Sequence, residues 1–200
     1  MVERQLRARG IEDERVLEAM GAVPRELFVP RELCAHAYSD RALGIGEGQT
    51  ISQPWIVARM AMLLELGGEE RVLEVGTGSG YAAAVLARLC REVVSVERHP
   101  SLAERARAAL AAGGVRNVEV RVGDGALGLP GEAPFGGISV AATARGRVPR
   151  ALVEQLAPEG TLVCPVRRRG GETLIRLREG REERVASVRF VPLVQGEVEG

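Results

Sequence analysis

The residues best suited to chemistry lie at positions 72–81, which read V-L-E-V-G-T-G-S-G-Y. A short apolar, β-branched run is followed by glycines at every second position, Gly76, Gly78 and Gly80, and then by a helical pattern. That order predicts a strand, a tight loop and the start of a helix. Glycine suits such a loop because it reaches unusual φ freely and lets a ligand approach the backbone without meeting a Cβ. The helix behind it offers free N–H groups and a partial positive charge, which favour a carboxylate, a phosphate or the polar edge of a nucleoside. Glu97 ends the next apolar run about 20 residues on, where a carboxylate bonds the two ribose hydroxyls of a nucleoside. The dinucleotide fingerprint G-x-G-x-x-G would require glycine at position 81, which is Tyr81, so the spacing argues against NAD.

These residues need a scaffold, and the chain alternates strand and helix to supply one. Amphipathic spacing predicts a helix over 56–66, then the strand at 72–75, a helix over 82–91 and a strand over 93–97. Pro100 opens a further helix over 101–112, which Gly113-Gly114 end; strands follow at 118–122, 135–142 and 161–166, with a helix at 149–156. Strict alternation implies an α/β fold with a mostly parallel sheet and helices on both faces. Runs at 173–177 and 185–191, separated by E-G-R-E-E, predict an antiparallel hairpin at the sheet edge. Before the core, 2–9 and 13–20 read as short helices forming a helical N-terminal extension, and 38–56 reads as one long polar loop. By residue type alone, Thr50, Ser52 and Gln53 suit a turn as well as a site.

Composition narrows the function classes. The 200 residues suit a single domain, divided into a cap and loop at 1–55, a ligand-binding core at 56–166 and terminal strands at 167–200. The 27 basic residues, all Arg, balance 27 acidic ones, which removes the electrostatic argument for a nucleic-acid or membrane-surface partner. Cys34, Cys90 and Cys164 are widely spaced and read as reduced structural residues of a cytoplasmic protein. His36 and His99 lack partners at metal spacing, so no metal is expected. No apolar run is long enough to cross a membrane, and the N-terminus has no apolar export segment.

The stretch E-x-G-x-G-x-G, from Glu74 to Gly80, resembles motif I of the class I S-adenosylmethionine-dependent methyltransferases. The string G-Q-T-I-S-Q-P at 48–54, preceded by V-P-R-E-L-F-V-P at 23–30, resembles the protein-L-isoaspartate (D-aspartate) O-methyltransferase family, and the match covers most of the chain. G-D-G at 123–125 is similar to the family's motif II, although alone it reads equally as an Asp-Gly turn. The resemblance implies a Rossmann-like methyltransferase core that binds S-adenosyl-L-methionine through Thr50, Ile51, Glu74, Gly76, Thr77, Gly78, Ser79, Gly80, Glu97, Asp124 and Gly125. Asp124 would bond the adenine amino group. It implies transfer of the methyl group to the free carboxylate of L-isoaspartyl residues in age-damaged proteins and peptides. The ester would then collapse to a succinimide and reopen as normal aspartate. In that reading Ser52 is the catalytic residue, orienting the substrate carboxylate, and Val191, Pro192 and Leu193 help to wall the substrate site; the protein works as a monomer. Two departures stand out: Phe135-Gly136-Gly137-Ile138 lacks the aspartate usual in relatives, and residues 141–147 replace small-residue and proline text with A-A-T-A-R-G-R. A class I methyltransferase with another carboxylate or small-molecule acceptor, or a non-catalytic cofactor-binding protein, are the alternatives.

Overall fold

A computed structural model describes residues 1–196; the last residues of the expected 167–200 segment lie outside the described residues. The N-terminal extension is helical, but tighter and looser turns replace the first expected α-helix: a π-turn at Val2–Leu6 runs into a 3-10 turn at Arg7–Arg9. Helix α1 (Glu14–Ala22) starts at Asp13, whose carboxylate accepts the Arg15 and Val16 N–H groups at 2.9 and 3.3 Å, satisfying donors that a helix start leaves free. Short 3-10 turns follow at Arg25–Phe28 and Arg31–His36.

The expected long loop at 38–56 is corrected by the structure. Strands β1 (Leu43–Gly46) and β2 (Gln49–Ile51) pair antiparallel within it, and Leu43, Ile45 and Ile51 enter the core. The turn between them places Gly46 and Gly48 at positive φ. Helix α2 (Pro54–Leu63) follows with proline at its first position, where a missing N–H costs nothing.

The core then runs β3 (Arg71–Val75), α3 (Tyr81–Leu86), β4 (Glu92–Glu97), α4 (Pro100–Ala112), β5 (Val118–Val122), β6 (Phe135–Val140), β7 (Ala144–Arg145), α5 (Arg150–Val153), β8 (Leu156–Arg168), β9 (Gly171–Arg178) and β10 (Arg181–Ser187). The main sheet has the order β10-β9-β8-β6-β3-β4-β5, with β7 beside β8. β3, β4, β5, β6 and β8 are parallel, and β9 and β10 close one edge antiparallel. The α/β expectation holds, with shorter α3 and α5 than the spacing predicts. β10 begins earlier than the expected 185–191 run and ends at Ser187, leaving 188–194 to fold back over the sheet.

Successive strand residues enter opposite faces, and both faces are buried. Val72 and Leu73, Leu162 and Val163, Leu174 and Ile175 are each at most 1% exposed, so the sheet carries apolar packing on both sides. Cys90 and Cys164 sit within this packing, and burial pushes both thiols up to about 12, whereas Cys34 is exposed. Thiol titration of the native protein should therefore label Cys34 alone, with Cys90 and Cys164 reacting only after unfolding; native labelling of a second cysteine would refute the packing. Among the described residues no helix is long and apolar enough to cross a membrane.

Candidate active site

The centre of the sheet builds the site. β3 ends at Val75, and the chain enters α3 through Gly76, Gly78 and Gly80, at φ +91°, +55° and +87°. The Gly76 N–H donates to the Val96 carbonyl and the Ala141 N–H to the Val75 carbonyl, each at 2.8 Å, so the loop is tied to both neighbouring strand ends. Here the strand order reverses direction around β3, at the carboxyl ends where open α/β sheets bind ligands. The resulting cavity is lined by Gly76, Thr77, Gly78 and Ser79 from the loop, Glu97 from β4, and Gly125. The stretch after β1 contributes Thr50, Ile51 and Ser52, and the folded-back C-terminal segment contributes Val191, Pro192 and Leu193.

Glu97 is only 5% exposed. One of its oxygens accepts the Gly78 N–H at 2.8 Å and the other the His99 N–H at 3.0 Å. Two peptide donors thus balance a buried carboxylate and fix the loop to the end of β4. His99 lines the cavity as well.

Three of the residues named from sequence are not on the cavity wall. Gly80 serves packing, since a Cβ there would lie 3.3 Å from the Cβ of Ala106 on α4. Asp124 already accepts the Ala126 N–H at 2.9 Å and, through its other oxygen, the Gly196 N–H at 2.8 Å, so it anchors the C-terminal segment beside the site. Glu74 is 1% exposed and lies inside the sheet. The Ser95 hydroxyl donates to it at 2.5 Å, and Ser95 lies 2.5 Å from the buried hydroxyl of Thr77, a residue of the cavity wall. Burial, together with the Glu97 charge, pushes the Glu74 carboxyl up to about 8, against the lowering effect of Ser95.

Sequence reasoning missed several wall residues. Tyr81 and Ala82 open α3, Val57 comes from α2, and Ala141 and Ala142 follow β6. An apolar residue lining a cavity looks in sequence like any core residue, so only the position just after a strand end hinted at Ala141.

The profile of the protein-L-isoaspartate (D-aspartate) O-methyltransferase family matches residues 1–198. The chain belongs to this family. It is 56% identical to a protein-L-isoaspartate O-methyltransferase of Methanoculleus marisnigri, over 99% of this chain and 94% of that one. A protein of the same name from Methylorubrum extorquens is 55% identical, over 98% and 87%. Among solved structures, a protein-L-isoaspartate O-methyltransferase superposes with a TM-score of 0.85 at 27% identity, covering 99% of this chain and 67% of that one. A second, described as a putative protein-L-isoaspartate O-methyltransferase from Plasmodium falciparum in complex with S-adenosyl-L-homocysteine, has the same fold (TM-score 0.83, 24% identity, 98% and 97% coverage).

Both departures from the protein-L-isoaspartate O-methyltransferase pattern have a structural account. Gly136 lies at the amino end of β6, away from the cavity, and a Cβ there would meet the Glu70 side chain at 2.8 Å. The Glu70 Cβ and Cγ fill that space, and its carboxylate accepts the Gly67 and Gly68 N–H groups at 2.6 and 2.8 Å. The A-A-T-A-R-G-R stretch instead holds the 191–193 segment of the cavity wall. The Thr143 N–H donates to the Val191 carbonyl at 2.8 Å, and the Leu193 N–H returns to the Thr143 carbonyl at 2.9 Å.

Proposed function

We propose that the chain transfers the methyl group of S-adenosyl-L-methionine to the free carboxylate of L-isoaspartyl residues in damaged proteins and peptides, with Ser52 orienting the acceptor. The observation that carries this reading is the position of Ser52. Thr50, Ser52, Ala141 and Val191 border two adjoining hollows. One is the glycine-loop cavity; the other is a groove walled by Trp55, Ile56, Val188 and Phe190. Ser52 stands where they meet.

The residues fit the cofactor. A narrow glycine floor, with Ala141 3.5 Å from where a Gly76 Cβ would lie, admits a flat nucleoside, and Glu97 presents a carboxylate for hydroxyl donors. When bound, the sulfonium supplies an electrophilic methyl group. Thr50, Ile51, Thr77, Ser79 and Gly125 would hold it beside Ser52, and Val191, Pro192 and Leu193 would close over the acceptor. The acceptor carboxylate, with an ordinary pKa of about 4, is ionised at neutral pH, so no side chain has to remove a proton. Its oxygen would accept the methyl group, and the cofactor sulfur would leave as a neutral thioether. The chain's contribution is alignment and exclusion of water, which suits a site walled by Ile51 and Val191 with the Ser52 side chain at its junction with the groove.

In the same reading the described chain acts as one domain, with residues 1–55 capping the 56–166 core and the described part of 167–200 completing the sheet through β9 and β10. Three unpaired cysteines and a balanced charge support a monomeric cytoplasmic enzyme that does not depend on nucleic acid. The test is transfer of labelled methyl to a peptide with one L-isoaspartate, beside the same peptide with L-aspartate. Base-labile product on the first alone is expected. Product on neither, with S-adenosyl-L-homocysteine shown to bind, would refute the acceptor.

A further inference from the structure

Arg25 is 0% exposed, the largest side chain so completely buried, and it forms no ion pair with any described acid. Its Nε–H donates to the Ala37 carbonyl and its Nη2 to the Ser52 carbonyl, both at 2.7 Å. The guanidinium carbon lies 4.5 Å from the ring centre of Tyr81, which also lines the cavity, and Nη1 has no hydrogen-bond partner. Burying a cation without an anion is costly. A core position that needed only volume would be filled at lower cost by Leu or Met. What the guanidinium provides is a rigid fork that can hold two carbonyls in one plane against an aromatic face.

Those two carbonyls are not arbitrary. Ala37 and Ser52 flank the segment that contains the β1–β2 hairpin, and that hairpin delivers Thr50, Ile51 and Ser52 to the cavity. Arg25 therefore closes the base of the hairpin and sets it against Tyr81 at the start of α3. We infer that Arg25 is a positioning residue for methyl transfer: by gripping the Ser52 carbonyl from inside the core, it aims the Ser52 hydroxyl at the acceptor. This rests on the role given to Ser52 above. Arg25 touches neither ligand, so its effect is transmitted through the Ser52 backbone.

The test is a double-mutant cycle with Arg25→Met and Ser52→Ala on the isoaspartyl peptide, together with calorimetric binding of S-adenosyl-L-homocysteine. Arg25→Met is expected to lower kcat about 10-fold, leave the Kd for S-adenosyl-L-homocysteine within about two-fold, and cost less than about two-fold when Ser52 is already Ala. Equal losses in the two backgrounds would overturn the inference, because a structural role acts regardless of the Ser52 side chain. An impaired Ser52→Ala beside a fully active Arg25→Met would overturn it alone. A fully active Ser52→Ala would overturn the Ser52 reading and this one with it. If Arg25→Met does not fold, Arg25→Lys is put through the same cycle. Its single ammonium cannot span both carbonyls, so reduced kcat dependent on Ser52 is expected, and wild-type kcat would overturn the inference.

Discussion

Ser52→Ala should lower turnover on an L-isoaspartyl peptide about 100-fold while leaving the Kd for S-adenosyl-L-homocysteine within about two-fold. The Ser52 side chain is half-buried, and among the described residues its hydroxyl has no hydrogen-bond partner; only its carbonyl is engaged, by Arg25. A free donor at the junction of two hollows is available to a carboxylate oxygen, and a donor aimed where the reacting group must sit contributes about 10²–10³ in turnover. The cofactor side is held by other groups, the glycine loop and Glu97, so binding there should not follow the loss. Because the interaction matters most as the oxygen aligns with the methyl carbon, the deficit belongs in kcat. Steady-state kinetics and calorimetry separate the two quantities. Turnover equal to wild type would remove Ser52 from the mechanism, and a parallel loss of ligand affinity would assign it to cofactor binding.

Glu74→Gln should remove a pH dependence of stability between about pH 4.5 and 8. The Glu74 carboxyl is raised from an ordinary 4.5 to about 8, chiefly by burial, and among the described residues no cation pairs with it; its polar neighbours are Ser95 and the Glu97 carboxylate. The sign follows from linkage. In the unfolded chain this carboxyl ionises near 4.5, whereas in the folded protein it keeps its proton to about 8. Its favourable contribution is therefore complete below about pH 4.5, falls as pH rises, and is gone above about pH 8, at about 1.4 kcal/mol for each pH unit of the window. Glutamine is neutral throughout and can retain the bond to Ser95. The melting temperature of Glu74→Gln relative to wild type should rise steadily from pH 5 to pH 8. A difference independent of pH would mean that Glu74 ionises normally in the folded protein. The group also matters locally, because Ser95 links it to the Thr77 hydroxyl on the cavity wall.

Much of this molecule follows from short-range patterns. The glycines at 76, 78 and 80 do adopt positive φ between a strand and a helix, the parallel alternation is present, and the terminal hairpin closes the sheet. The β1–β2 hairpin was not legible, because glycines alternate with its few apolar residues and its pairing depends on burial of Leu43, Ile45 and Ile51 against distant elements. Arg25 was equally hidden. In sequence an arginine reads as a solvated cation, and nothing local shows that Ala37, Ser52 and Tyr81 surround it. Glu74 reads in sequence as a ligand contact because it precedes the glycines, yet strand alternation turns it onto the buried face it shares with Val72, off the cavity wall.

The sequence by itself determined the kind of protein: a glycine loop between strand and helix, an acid, Glu97, at the end of the next strand, and the family signature at 48–54. These are properties of backbone conformation and residue spacing, which act over a few residues. Only the tertiary structure decided which side chains share the cavity. Ser52, Glu97, Ala141 and Val191 meet there because the strand order places β3 between β4 and β6 and the segment after β10 folds back onto Thr143. Burial, and with it the raised carboxyl of Glu74 and the enclosed cation of Arg25, arises from contacts between residues far apart in the chain, which no local pattern encodes.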